Sequence, residues 1–136
     1  MSRILAIDYG RKRCGIAVTD PLQIIAGGLP TVATHELMTF LKEYCRREKV
    51  EMIIVGEPRK MDGTPSESSQ YIEPFVKRLA KEMPDMRIMR RDERFTSVIA
   101  HREMIAAGFR KSQRQEKGKA DEMSAVLILN EFLQNR

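Results

Sequence analysis

Tryptophan is absent from this chain of 136 residues, and aromatic residues make up only 6% of it. One common stacking residue is thereby removed, so any hold on nucleic acid must lean on charge. Cysteine occurs twice, at Cys14 and Cys45. The pair forms no CxxC or zinc spacing, which argues against a disulfide scaffold or structural zinc and fits a reduced cytosolic compartment. Histidine is also scarce. His35 and His101 stand apart from the acidic residues discussed below, and each reads as a surface helix residue rather than a metal ligand. Apolar runs such as Ile4 to Ile7 are far too short for a signal segment or a membrane span. Repeats, linkers and low-complexity tracts are missing as well.

What the chain does have is a globular balance. Hydrophobic residues make up 42% and charged residues 32%. The length suits one domain over 1–136, large enough to bury a core. The net charge of +5 favours nucleic acid or another polyanion as partner.

Residues 3–8 read as a strand apolar on both faces, as in the middle of a sheet. Gly10 permits a turn, Cys14 to Thr19 reads as the hairpin partner, and Pro21 ends it. A third, weaker strand is expected over Ile24 to Val32, broken by Gly27-Gly28. Leu37, Phe40, Leu41 and Tyr44 mark a helix over 36–49. Met52 to Val55 is a short buried strand ending in Gly56-Glu57-Pro58. Thr64-Pro65-Ser66-Glu67 is a capping box that opens a helix whose stripe is Ile72, Phe75, Val76 and Leu79. Pro74 within it predicts a kink or a later start. Met86 to Met89 is the next strand. Thr96 caps a helix ending at Gly108, and 109–119 reads as a mobile loop. A last helix is expected from about Ala120 to Phe132. The order implies an α/β domain: a mixed five-stranded sheet, led by a hairpin, with helices on both faces.

Three acids sit at element ends. Asp8 closes the first strand, Glu93 follows the fifth, and Asp121 opens the last helix. Each has a plain structural alternative. Asp8 could cap the Gly10 turn, Glu93 could belong to a solvated charge cluster, and Asp121 could be an N-cap. On the last helix, Ser124, Ala125, Ile128, Leu129 and Phe132 continue the face of Asp121, which must pack on the sheet. In an extended segment Asp92 and Glu93 point to opposite sides, so only one can join a site. Clustered carboxylates need a cation or a proton. Two of them about 4 Å apart repel by roughly 4 kcal/mol at an effective dielectric of 20. Oxygen donors without nearby His or Cys point to Mg²⁺ or Mn²⁺. Two such ions can activate water and stabilise the leaving oxygen of a phosphodiester.

Basic residues gather beside the acids. Arg11, Lys12 and Arg13 lie in the first hairpin, and Arg90, Arg91 and Arg94 bracket Glu93. Arg110, Lys111, Arg114, Lys117 and Lys119 precede Asp121. Scattered soluble charge is the plain alternative, but the clustering favours a phosphate-binding rim.

Four blocks carry a resemblance over almost the whole chain: Asp8-Tyr-Gly10 with Arg13-Cys-Gly15; Val55-Gly56-Glu-Pro58 with Met61-Asp62-Gly63-Thr64; Asp92-Glu93-Arg94-Phe-Thr96; and Lys117-Gly118-Lys-Ala-Asp121 with Ser124-Ala125. In their order and spacing the chain resembles the YqgF family of bacterial RNase H-like nucleases, also called Holliday-junction-resolvase-like proteins. The resemblance implies an RNase H-like fold, an acidic triad of Asp8, Glu93 and Asp121, and cytoplasmic maturation of the 5′ end of the 16S ribosomal RNA precursor. It extends the partners to the ribosomal subunit, with a monomer or homodimer and no membrane. Glu57 departs from the more usual Leu and adds a carboxylate at a strand end, an additional metal ligand to be tested. Ser97 and Ser124 stand where Thr and Ala are frequent. Three other functions compete: a resolvase of branched DNA, a non-catalytic RNA-binding assembly factor, and a sugar-kinase or actin-like ATPase. The last needs two lobes, and this chain has room for one.

Overall fold

The computed structural model describes residues 1–57, 69–92 and 117–136; the side chains at 92 and 117–122 are outside the description. Five strands are described: β1 (Arg3–Asp8), β2 (Arg13–Thr19), β3 (Ala26–Ala33), β4 (Val50–Glu57) and β5 (Arg87–Asp92). With them come a 3-10 turn (Thr34–Glu36) and three helices: α1 (Leu37–Arg47), α2 (Ser69–Glu82) and α3 (Lys117–Gln134). The sheet order is β3-β2-β1-β4-β5. β1 pairs antiparallel with β2 and parallel with β4, so the sheet is mixed as expected.

β1 lies at the centre because both of its faces are apolar. Leu5 and Ile7 join Ile53 and Val55 of β4 against α1 and α2. Ile4 and Ala6 join Ala17, Met52 and Ile54 against Ala125, Ile128 and Leu129 of α3. This is the alternation of a strand buried on both sides. The predicted stripes are the buried ones. Leu37, Leu41 and Tyr44 of α1, and Ile72, Phe75 and Leu79 of α2, are buried, while Phe40 and Val76 pack partly. Met38 is a further buried member of α1.

Several boundaries differ from the sequence reading. β3 runs unbroken through Gly27 and Gly28, which pair with Val18 and Ala17. Ladder bonds from β2 carry a stretch whose own composition is weak. The interruption falls instead at Pro30, where two β3 residues oppose Gly15 as a bulge. Proline is tolerated there because the strand is an edge. α2 is helical on both sides of Pro74, so the helix does not begin at the proline. β5 reaches Asp92, three residues past Met89. α3 begins by Lys117, earlier than Ala120, and Asp121 therefore lies inside the helix and cannot be its N-cap. The capping box at 64–67, the Thr96 helix and most of the 109–119 segment lie outside the described residues.

Candidate active site

Asp8 is the last residue of β1 and is half-buried. By strand alternation its side chain shares the face of Ile4 and Ala6, the face covered by α3. Its register partner on β2 is Gly15. On β4 the pair Ile7–Val55 makes Gly56 the neighbour at the same level. The carboxylate thus stands between two positions that carry no side chain, both of them buried.

α3 leads toward the same place. Arg136, just past its end, donates to the side-chain and backbone oxygens of Gln23 at 2.7 and 3.0 Å. Gln23 in turn donates to the carbonyl of Ser2 at 3.0 Å. The C-terminal end of the helix therefore lies near the start of β1. From Gln134 back to position 121 is about 20 Å of helix, and from Ser2 to Asp8 about 20 Å of strand. Ala125, buried against the face of Ile4 and Ala6, lies one helical turn from position 121.

The turn after Asp8 is held tightly. A Cβ at Gly10 would lie 2.3 Å from the carbonyl oxygen of Arg13, so only glycine fits this close approach. The Gly10 carbonyl accepts a hydrogen bond from the Thr34 hydroxyl at 2.7 Å, and Thr34 N–H donates to the Lys12 carbonyl at 3.0 Å. Cys14 is buried beneath with its thiol 3.8 Å from the Gly10 carbonyl, on the α1/α2 side. Cys45 is also a free thiol, and burial raises its pKa, which disfavours the reactive thiolate. This turn presents Arg11 and Lys12 to solvent. The Arg11 guanidinium lies 4.6 Å from the centre of the Tyr71 ring.

Glu57 ends β4 on the opposite face. Its carboxylate meets Arg90 at 3.1 Å, and the same guanidinium reaches Glu73 of α2 at 2.8 Å. The structure does not bring Glu57 together with Asp8, because a carboxylate one residue past Gly56 turns toward α2. Arg90 is correspondingly engaged in an ion-pair network rather than in a phosphate rim. Arg91 turns to α3 and approaches the Glu131 carbonyl at 3.4 Å. Sequence reading missed this division, and treated Gly15 and Gly56 as motif and turn marks. Glycine at a strand end is itself a signal of close approach by a ligand.

Of the acidic triad, Asp8 has a described side chain, Asp121 a described backbone, and Glu93 lies outside the described residues together with Arg94, Arg110, Lys111 and Arg114. Lys117 and Lys119 lie in the first turns of α3, with side chains outside the description. Among the described residues, the donor of the proposed site is the Asp8 carboxylate, whose oxygens fit a hard cation. The buried thiol of Cys14 and the exposed imidazole of His35 belong to the other side, where His35 pairs with Glu36 at 3.7 Å. Oxygen donors alone suit Mg²⁺ or Mn²⁺.

Comparison with known proteins agrees with this geometry. The profile described as "RuvX: Holliday junction resolvase" matches residues 2–135. A Bacteroides fragilis protein named "Putative pre-16S rRNA nuclease" is 55% identical over 136 residues, covering 100% of this chain and 99% of its own length. Proteins of the same name from Flavobacterium johnsoniae and Porphyromonas gingivalis are 52% and 54% identical, covering 100% and 99% of this chain and 99% and 98% of their own lengths. A sheet ordered 3-2-1-4-5 with an acid at the end of its central strand, matched from end to end by one profile, makes the chain a member of the RuvX family, the RNase H-like YqgF proteins that its motifs resemble.

Proposed function

We propose that this chain is a divalent-metal-dependent endonuclease that matures the 5′ end of the 16S ribosomal RNA precursor in the cytoplasm. The observation that carries the reading is the setting of Asp8, a half-buried carboxylate at the C-terminal end of the central strand with side-chain-free neighbours on both sides. The names of the relatives supply the substrate class. Asp8, Glu93 and Asp121 are the proposed ligands of one or two Mg²⁺ or Mn²⁺ ions. Once bound, such ions supply an activated water and neutralise charge on the leaving oxygen. The chain's own part is placement: the Gly10 turn holds Asp8, and α3, which packs on the same face through Ala125, presents Asp121 one turn earlier. Arg11, Lys12 and Arg13, with Arg94, Arg110, Lys111, Arg114, Lys117 and Lys119, hold the phosphates on either side. Glu57 is assigned to Arg90 rather than to the metal. Among the described residues, no helix is long and apolar enough to cross a membrane.

The name of the matching family favours a second reading, resolution of branched DNA. That activity needs a homodimer to cut two strands symmetrically. The deciding experiment incubates purified protein with a ribosomal RNA precursor and with a four-way junction, each with Mg²⁺, Mn²⁺ or EDTA. Metal-dependent cleavage of the precursor at its 5′ side is expected. Junction cleavage alone would replace the RNA reading, and binding of RNA without cleavage in any metal would leave an assembly factor.

A further inference from the structure

Behind Asp8, on the other face of the sheet end, lies a cavity of about 230 Å³ lined by Tyr9, Thr34, His35, Tyr71, Phe75 and Arg78. Its aromatic wall is continuous: the Tyr9 and Phe75 rings lie 4.9 Å apart, tilted by 32°. Two arginines and a histidine mark its rim. Arg11 sits on the Tyr71 ring, and Arg78 and His35 are largely exposed. The acids nearest these groups are Glu82, paired with Arg78, and Glu36, beside His35. Such a cavity is smaller than the ~300–1,000 Å³ usual for drug-sized ligands and so suits one ring system.

We propose that this cavity receives an unpaired nucleobase of the strand whose phosphate lies at Asp8. The inference rests on the nuclease reading and deepens it by naming the substrate class: a strand unpaired beside the scissile bond. Three observations carry it. Asp8 and Tyr9 are consecutive, and successive side chains of an extended chain diverge to opposite faces. A strand crossing the sheet end can therefore set a phosphate on one side and a neighbouring base on the other. Aromatic rings offer a stacking face that any base can use. The Arg11 guanidinium lies over the Tyr71 ring, so a cation stands at the edge of the cavity, where the phosphate next to the base would come. Paired bases of a helix are stacked away and cannot enter, so the cavity selects for single-stranded or bulged RNA.

The test uses the full chain, fluorescence anisotropy, and two RNAs of equal phosphate number, one single-stranded and one duplex, at fixed salt without metal. Tyr71→Ala should weaken single-strand binding by roughly five- to 150-fold while leaving duplex binding where it was. Tyr71→Phe retains the ring and should bind as wild type. A 2-aminopurine base in the single strand should be quenched by wild type and not by Tyr71→Ala. Equal losses for the two RNAs, no loss in Tyr71→Ala, or failure of Tyr71→Phe to restore binding would each overturn the proposal while wild-type cleavage kept the nuclease reading. A wild type that bound neither RNA would remove both.

Discussion

Gly10→Ala is the sharpest test of how the turn holds Asp8. The added methyl would stand 2.3 Å from the Arg13 carbonyl oxygen and 3.5 Å from its carbon. Real Cβ atoms essentially never come closer than 3.0 Å, so the turn must open by at least 0.7 Å, the difference between 3.0 and 2.3. The obstructing atom is backbone, and Arg13 is itself tied to Ala33 across the sheet, so no side chain can swing away. Overpacking of this kind costs about 1–3 kcal/mol, and a backbone obstacle belongs at the upper end. Weakening the bond from Thr34 to the Gly10 carbonyl adds about 1 kcal/mol. A total of about 3–4 kcal/mol should lower Tm by about 10 °C in a chain of this size. Cleavage should fall more steeply than stability, because Asp8 moves with the turn. Gly27→Ala is the matched control. Its Cβ would meet only the Val18 carbonyl at 4.0 Å, so stability should hold or rise by about 0.5–1 kcal/mol. Urea unfolding and a cleavage assay on both variants decide the matter. Gly10→Ala with wild-type midpoint and rate would refute the account of the turn.

Asp8→Asn should abolish cleavage and also the rise in Tm that Mg²⁺ or Mn²⁺ gives the wild type; a retained metal-induced rise would remove Asp8 from the ligands. Glu57→Leu should keep both cleavage and the Mg²⁺/Mn²⁺ preference while lowering stability by about 1–2 kcal/mol, since Arg90 retains Glu73. A shifted metal preference would return Glu57 to the site. Asp20 accepts N–H bonds from Ile25, Ile24 and Leu22, which hold its carboxyl below the usual range. Its stabilising contribution is thus complete above about pH 4 and lost as pH falls through the lower folded value. Asp20→Asn should therefore be less stable than wild type at neutral pH, with the gap closing on acidification, as read from urea midpoints across pH.

Much of this fold is legible in the residues because its strands and helices are written at different periods. Short apolar blocks mark β1, β2 and β4, and spacings of three and four mark α1 and α2. Other features escape for physical reasons. β3 contains Gly27, Gly28 and Pro30, and only its partner strand makes it a strand. The start of α3 reads Lys-Gly-Lys-Ala, polar and glycine-bearing, so the helix looks shorter than it is. Placing Asp8 at a strand end needed only the apolar block before it. Deciding the face of Glu57 needed more, because β4 is apolar on both sides and its alternation is silent. The aromatic cavity escaped too. Its rings come from positions 9, 71 and 75, which are joined by tertiary packing rather than by any local pattern, and the lack of tryptophan directed attention to charge.

The division of β1 between two layers makes the acid's position a matter of counting. Inserting or deleting one residue between Ile4 and Asp8 would exchange the roles of neighbours, sending the carboxylate toward α2 and the tyrosine toward α3. Inserting two would restore the side but carry the carboxylate about 7 Å further along the sheet. Substitutions in this strand can be graded by size and polarity, whereas changes of its length are all-or-none. Length variation among functional descendants of this chain is therefore confined to segments outside the strand, and the interval from the first core residue to the acid is the invariant to look for.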